Sequence, residues 1–471
     1  VSEHTATTSW ATASVAEQSA ALRAGQITAR DLVDVYLERI DRLNPQLNAV
    51  VTVDVDGARR AADTADARRR DGGEHSPLLG IPFTVKDAIA TAGVRTTAGS
   101  VALRENVPAE DAPAIGRLRD AGAVLLGKSN LPQWSSNIQT RNDLFGTTSN
   151  PWDPARTSGG SSGGAAAAVA AGLSGFDIGS DLGGSIRIPS HFCGIGGHRP
   201  SVGLVPQRGY IDHIGGGTTG TDLNVLGPMA RSVADLRLIL LALAGPDPHD
   251  APAWRVELPA ARHRDPREWR VGVWLDDTPG TVLDDDVRLL VDQAAAALAA
   301  AGPRVTTLRP AVDIDASRAV CAELIAAAIL PSRDASAVGS AADSHLRWLR
   351  NRERVAQLRA AWRAWFAEYD VLICPVMSVP AFPHDDGGGI GELSLRVGDR
   401  DVSHRDLAHA WNAPSGVVGL PSTTVPVGLT PDGLPVGVQV IGPYLEDLTA
   451  LAVAELLETA TGGYRVPPLA V

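Results

Sequence analysis

Ser158-Gly-Gly-Ser161-Ser162-Gly-Gly164, followed by Gly179-Ser-Asp181-Leu182-Gly183-Gly184-Ser185-Ile-Arg187, is the stretch on which the reading of this chain turns. Both runs are glycine-rich, and glycine lets a backbone turn tightly and approach a neighbour closely. Between them Ala165 to Ala171 reads as a small-residue helix. Its start, directly after Gly163-Gly164, points backbone N–H groups at the first loop.

Outward from this centre the chain alternates helical and extended patterns. Ala13 to Ala24 and Ala29 to Leu43 are helical; the second has Leu32, Val33, Tyr36, Leu37, Ile40 and Leu43 on one face. Thr28 with Asp31 is a capping signal, and Gly25 ends the first helix. Leu79 to Val85 and Val124 to Leu126 read as short strands, the latter after a helical Ala114 to Ala121. Asn130 to Ser162 is too polar for core and too long for an idle connection, which points to a functional loop. Beyond it, Asp284 to Ala301 is an amphipathic helix within a segment, 246–345, whose composition shifts towards Ala, Arg and Asp. That segment is expected to be an inserted or variable helical subregion of a single domain spanning 1–471. Gly419 to Ser422, Thr424 to Val427 and Val436 to Val440 read as strands returning to the sheet. Such alternation indicates an α/β sheet.

Bulk properties narrow the function. A formal charge of −12 argues against broad nucleic-acid or anionic-membrane binding, so a small-molecule partner is expected. Three scattered cysteines, Cys193, Cys321 and Cys374, give neither a disulfide framework nor metal spacing. With no leader-like N-terminus and no apolar run of membrane length, a cytoplasmic protein without a membrane partner is expected.

Two familiar motifs mislead. Gly122-Ala-Val-Leu-Leu-Gly127-Lys128-Ser129 matches a P-loop expression, but its central residues are strand-like and Pro132 soon follows. Gly159-Gly-Ser161-Ser-Gly163 matches a nucleophile elbow, yet Asn150 to Thr157 is not the strand that an elbow needs.

Three segments remain: Thr84-Val-Lys86-Asp87 and the two serine loops. With Gly80-Ile-Pro-Phe, Gly127-Lys-Ser-Asn130, Phe145-Gly-Thr-Thr-Ser-Asn-Pro151, Phe192-Cys-Gly194, Gly227-Pro-Met-Ala-Arg231 and Gly419-Leu-Pro421, they resemble the amidase signature family over most of the chain. The likeness is weak between about Pro246 and Ala410. It implies an α/β amidase signature fold, a large mixed, twisted β-sheet covered by helices on both faces.

The resemblance also implies roles. Ser185 is the expected nucleophile, Ser161 the bridging serine, held by a cis peptide, and Lys86 the base. Serine must lose its proton as it attacks, so a base within reach is required. Lysine serves only when neutral, and desolvation disfavours its ammonium form. A hydroxyl both donates and accepts, so Ser161 can pass a proton either way. Backbone N–H groups of Leu182, Gly183, Gly184 and Ser185 are expected to form the oxyanion hole, and Ser162, Asp181 and Arg187 to support the loops. Gln133, Trp134, Ser135 and Ile188 are expected to border the substrate pocket, with His213 and Gly215 to Gly217 near its entrance.

The expected activity is hydrolysis of a carboxylic amide, anilide or hydrazide through a Ser185 acyl-enzyme, with water as second substrate and no metal or cofactor. Where the family often has Thr, this chain has Leu182; an aliphatic residue there resembles fatty-acid amide hydrolase. The glutaminyl amidotransferase component that works on charged tRNA typically has Gln after the signature arginine, whereas Ile188 stands here. That favours a stand-alone hydrolase without a nucleic-acid partner. The tRNA-dependent amidotransferase component is one alternative and an inactive binding protein on the same fold another; a homodimer is left open.

Overall fold

The computed structural model describes residues 10–211, 217–276, 282–333, 341–385 and 393–471. Caps place its first two helices. At α1 (Val15–Arg23) the Ser14 hydroxyl accepts from the Glu17 N–H, and the Glu17 carboxylate returns a bond to the Ser14 N–H. At α2 (Ala29–Leu47) Thr28 and Asp31 do the same. α2 runs a turn beyond the expected Leu43, because Leu47 extends its buried stripe and only Asn48, in the left-handed region at φ 49°, stops it.

The strands that matter for function lie side by side. β1 is Val50–Val53; α3 (Val55–Arg70) follows, and then β2 (Pro82–Lys86). This strand begins later than the pattern suggested, since Gly80 at φ 81° breaks the extended run, and it ends on Lys86. α4 (Pro113–Asp120) leads into β3 (Val124–Ser129), whose residues are all buried. The P-loop-like Gly127 is therefore a strand residue: a Cβ there would lie 1.9 Å from the Thr52 carbonyl oxygen of β1, so the glycine serves strand packing. α5 (Gly163–Ala170) takes both expected loop glycines into its first turn and leads to β4 (Phe176–Ser180).

After β4 come α6 (Arg187–Cys193), β5 (Gly196–Arg199), β6 (Leu226–Ala230) and α7 (Val233–Leu243). Within 246–345, expected to be helical, β7 (Arg270–Val273) and β8 (Arg304–Thr307) flank α8 (Asp285–Ala300) and join the main sheet. α9 (Ile314–Arg333) and α10 (Ala341–Glu368) precede β9 (Val371–Pro375). β10 (Ser422–Leu429) and β11 (Pro435–Ile441) form an antiparallel pair, followed by α11 (Asp447–Thr461). Gly419 to Pro421, read as strand, is a turn with Gly419 at φ 76°, and Ser422 to Leu429 is one strand carrying an irregularity between Pro426 and Gly428.

These eleven strands form one mixed sheet, in the order β1-β3-β2-β4-β6-β5-β10-β11-β9-β7-β8, flanked by helices; two separate two-stranded ribbons, Arg141–Asn142 with Gly146–Thr147 and Ser394–Val397 with Arg400–Ser403, lie outside it. β2, β3 and β4 are parallel neighbours, so their C-terminal ends open on the same side. An extensive apolar core surrounds the sheet, and a smaller cluster around Ile138, Ile188, Phe192, Met377 and Phe382 lies apart from it.

Candidate active site

Lys86 ends β2 and Ser180 ends β4, so neighbouring parallel strands deliver both to one place. Lys86 is wholly buried. Its Nζ lies 2.6 Å from Ser161 Oγ and 2.8 Å from Ser180 Oγ. The Ser180 hydroxyl is paired with that of Tyr210, and the Tyr210 hydroxyl donates to Ser135 Oγ at 3.0 Å.

Ser161 is held by a loop that fits its surroundings closely. The Thr140 hydroxyl donates to the Gly159 carbonyl and accepts from the Gly163 N–H. A Cβ on Gly160 would lie 2.5 Å from the Asn137 carbonyl oxygen, and one on Gly164 would lie 2.3 Å from the Asn130 nitrogen. The Gly160–Ser161 peptide is cis. Ser162 ties the two serine loops together: its N–H donates to the Ser185 carbonyl at 3.1 Å, and its hydroxyl sits 3.3 Å from both the nitrogen and the carbonyl oxygen of Ser180.

Asp181 organises the second loop. Its carboxylate accepts from the N–H groups of Gly184 (2.8 Å) and Ile186 (3.1 Å), and forms a two-pronged ion pair with Arg187 Nε and Nη2, both at 3.0 Å. Arg199 stands 3.5 Å away. Burial alone pushes this carboxyl up, but the two guanidiniums and the N–H donors outweigh it and hold Asp181 well below the usual carboxylate range.

One expectation is corrected here. The Gly184 N–H is committed to Asp181, so it is not free to stabilise an oxyanion; the turn needs that bond to close. Leu182, Gly183 and Ser185 are partly exposed, and among the described residues their N–H groups have no partner. These three are the donors left to face a ligand. The Ser185 hydroxyl makes no hydrogen bond among the described residues, so Lys86 and Ser161 are joined directly while the step from Ser161 to Ser185 is open. Such contacts commonly tighten only with substrate.

Of the other expected residues, Ser135 is tied to this centre through the Tyr210 hydroxyl. Gln133, Trp134 and Ser135 form a short 3₁₀ turn in which Trp134 and Ser135 take left-handed backbone angles, φ 54° and 55°. Gln133 is exposed, the other two half-buried. Ile188 is 1% exposed and packs in the smaller apolar cluster. A cavity of about 570 Å³ opens beside Leu182, lined by the apolar Val202, Leu324, Ala328 and Trp348 and by the polar Gln207, Asp222 and Arg352. His213, Gly215 and Gly216 lie outside the described residues; Gly217 accepts from the Gly209 N–H. Cys193 is buried and its thiol pushed far up by desolvation, which makes it inert.

Three further titratable groups lie under the site. Burial lowers Lys128 to about 8, although Asp87 and Asp177 oppose this, and it raises Asp87 to about 6 against the pull of Lys128. Asp177, also raised to about 6 by burial, accepts from the Thr84 hydroxyl. No described helix is long and apolar enough to cross a membrane, and no cluster of metal-binding side chains occurs among the described residues.

Ser180 and Tyr210 escaped the sequence reading. Ser180 could have been found, because it adjoins Asp181 inside the motif and ends the strand beside Lys86. Tyr210 gave no signal, since its loop reaches the site only through the fold.

Comparison with known proteins agrees with this architecture. The amidase family profile matches residues 31–333 and 332–451. One component of the glutamyl-tRNA(Gln) amidotransferase of Synechococcus sp. (strain CC9902) is 34% identical over 93% of this chain and 94% of its own. Among solved structures, 6-aminohexanoate cyclic dimer hydrolase superposes with a TM-score of 0.78 at 28% identity, covering 98% of this chain and all of that one. A bacterial aryl acylamidase of the amidase signature family superposes with a TM-score of 0.81 at 25% identity, over 95% and 96% of the two chains. The sheet order, the paired serine loops and these likenesses converge: the chain belongs to the amidase signature family, enzymes of the C–N hydrolase type.

Proposed function

We propose that this chain is a stand-alone amidohydrolase that cleaves a carboxylic amide, anilide or hydrazide through an acyl-enzyme on Ser185. The observation that carries the reading is the contact of 2.6 Å between the buried Lys86 amine and Ser161 Oγ, beside a turn presenting the N–H groups of Leu182, Gly183 and Ser185. In this scheme Ser161 gives its proton to neutral Lys86 as it accepts that of Ser185. The Ser185 oxygen then attacks the carbonyl. The oxyanion is met by the three N–H groups, whose fixed positions require no reorganisation as charge develops. The same relay returns the proton to the leaving nitrogen, and water releases the acyl group by the reverse sequence. Gln133, Trp134 and Ser135 border the acyl pocket, and no cofactor is needed.

A second reading follows from the curated relatives, which are components of a tRNA-dependent amidotransferase. Ile188, buried among apolar side chains, and the charge of −12 favour the hydrolase over such a component. The deciding experiment gives the purified chain alone a panel of aryl, fatty and peptide amides and hydrazides, with mass detection. Turnover without partners supports the hydrolase; glutaminase activity appearing only with partner proteins and charged tRNA would replace it.

A further inference from the structure

We infer that Tyr210 is a positioning residue for Lys86, acting through Ser180, and that the chain Lys86–Ser180–Tyr210–Ser135 sets the direction in which the lysine amine points. The inference rests on the proposed role of Lys86 as base.

The argument is one of hydrogen-bond polarity. A hydroxyl has a single proton, so it donates once. Tyr210 donates to Ser135 Oγ, and its oxygen must therefore accept from Ser180. Ser180 has then spent its proton and can only accept on its other side. Its partner there is Lys86 Nζ at 2.8 Å, which must supply an N–H. With one N–H committed to Ser180, the neutral amine keeps its second N–H and its lone pair for other directions, and turning the lone pair to Ser161, 2.6 Å away, lets it take the relay proton. The chain is well shielded: Ser180 is 1% and Tyr210 3% exposed, so water does not readily replace either member. Ser135 anchors the outer end, in a turn whose two left-handed non-glycine residues store strain of the kind retained at working sites.

Without the tyrosine hydroxyl, Ser180 can turn its proton to the lysine lone pair and compete with Ser161. This slows proton transfer, and it also removes an acceptor from the ammonium form. The charged group that acts on the amine from the neighbouring strand, Asp177 of β4, is unchanged by the substitution; Lys128 and Asp87, which bond to Ile89, Thr91 and Thr97, are unchanged as well. The amine is then easier to deprotonate but a poorer base.

Fluorophosphonate labelling of Ser185, followed by mass spectrometry across pH 5 to 10, tests this without knowledge of the substrate. Tyr210→Phe is expected to label about tenfold more slowly at the plateau, with the acid limb of the rate profile displaced to lower pH. Ser135→Ala, which removes the outer acceptor, is expected to shift the limb the same way by less, and it serves where Tyr210→Phe folds poorly. Unchanged rate and limb in both variants overturn the inference while leaving the hydrolase reading intact. A wild-type chain whose Ser185 is not labelled at any pH overturns both.

Discussion

The Gly184 N–H donates to Asp181 Oδ1 across 2.8 Å, so the carboxylate closes the turn on which Ser185 sits. Asp181 is at the same time the counter-charge of Arg187 and Arg199, and all three side chains are fully buried. Asp181→Asn leaves two guanidiniums without a carboxylate, a loss of about 3–5 kcal/mol for a broken buried pair. It also loosens the oxyanion turn. A lower denaturation midpoint together with reduced Ser185 labelling in the folded fraction is the expected result. Because the folded pKa is depressed, the stability contributed by Asp181 is present above the ordinary carboxylate pKa and fades as pH falls below about 4.

Ser185→Ala should abolish turnover of any amide the wild type cleaves. Lys86→Ala should lower kcat by about 10²–10⁴, the range for a lost general base, and remove the acid limb of the pH profile. Full activity in purified Ser185→Ala protein would sink the mechanism.

Asp177 makes a different prediction, with the opposite sign from Asp181. Burial raises its pKa to about 6, so its neutral form suits the fold better than its ionised one. The stability it contributes is complete below about pH 4 and is lost as pH rises through about 6, a change on the order of 3 kcal/mol. Thermal melts from pH 4 to 7 should show this decline, and Asp177→Asn should flatten it. Asp87, raised in the same way, adds to the slope and is unaffected by that substitution.

These contrasts mark what could be read from residue order. Lys86, Ser161 and Asp181 were legible because each sits in a short run whose residue types have few other joint explanations. The strand end at Lys86 and the cap at Thr28 were legible for local reasons, whereas the cap at Ser14 lies inside the helix as it was read from Ala13. Three things were not. The commitment of Gly184 to Asp181 depends on the path of the turn, and any of four N–H groups could have been spent on it. Tyr210 arrives from a distant loop, and no local pattern marks such an arrival. The strands β7 and β8 were hidden within an alanine-rich segment because each is only four residues long and gains its identity by pairing, β7 with β9 and β8 with β7.

Gly164 tests the fit of the first serine loop. A methyl group there meets backbone on three sides, with the Asn130 nitrogen at 2.3 Å, its oxygen at 2.5 Å and the Ala49 oxygen at 2.8 Å. No side chain can rotate out of the way, so Gly164→Ala should destabilise by about 3 kcal/mol, the upper end for overpacking. Chemical denaturation measures it directly.

Leu182 separates what the signature turn does with its backbone from what it does with its side chain. If the N–H groups of Leu182, Gly183 and Ser185 hold the oxyanion, Leu182→Thr keeps that N–H, and kcat should stay within about threefold of wild type. The side chain, however, borders the cavity of about 570 Å³, where with Val202, Leu324, Ala328 and Trp348 it offers apolar surface to a substrate group beside the Asp222–Arg352 ion pair. Removing part of that apolar surface should raise KM for aliphatic or aryl amides by about three- to tenfold, from roughly 25 cal/mol for each Å² of apolar area no longer buried. Small polar amides should be unaffected. A fall in kcat with unchanged KM would instead assign the Leu182 side chain to shaping the turn, and would place the substrate's apolar portion elsewhere, against Trp134.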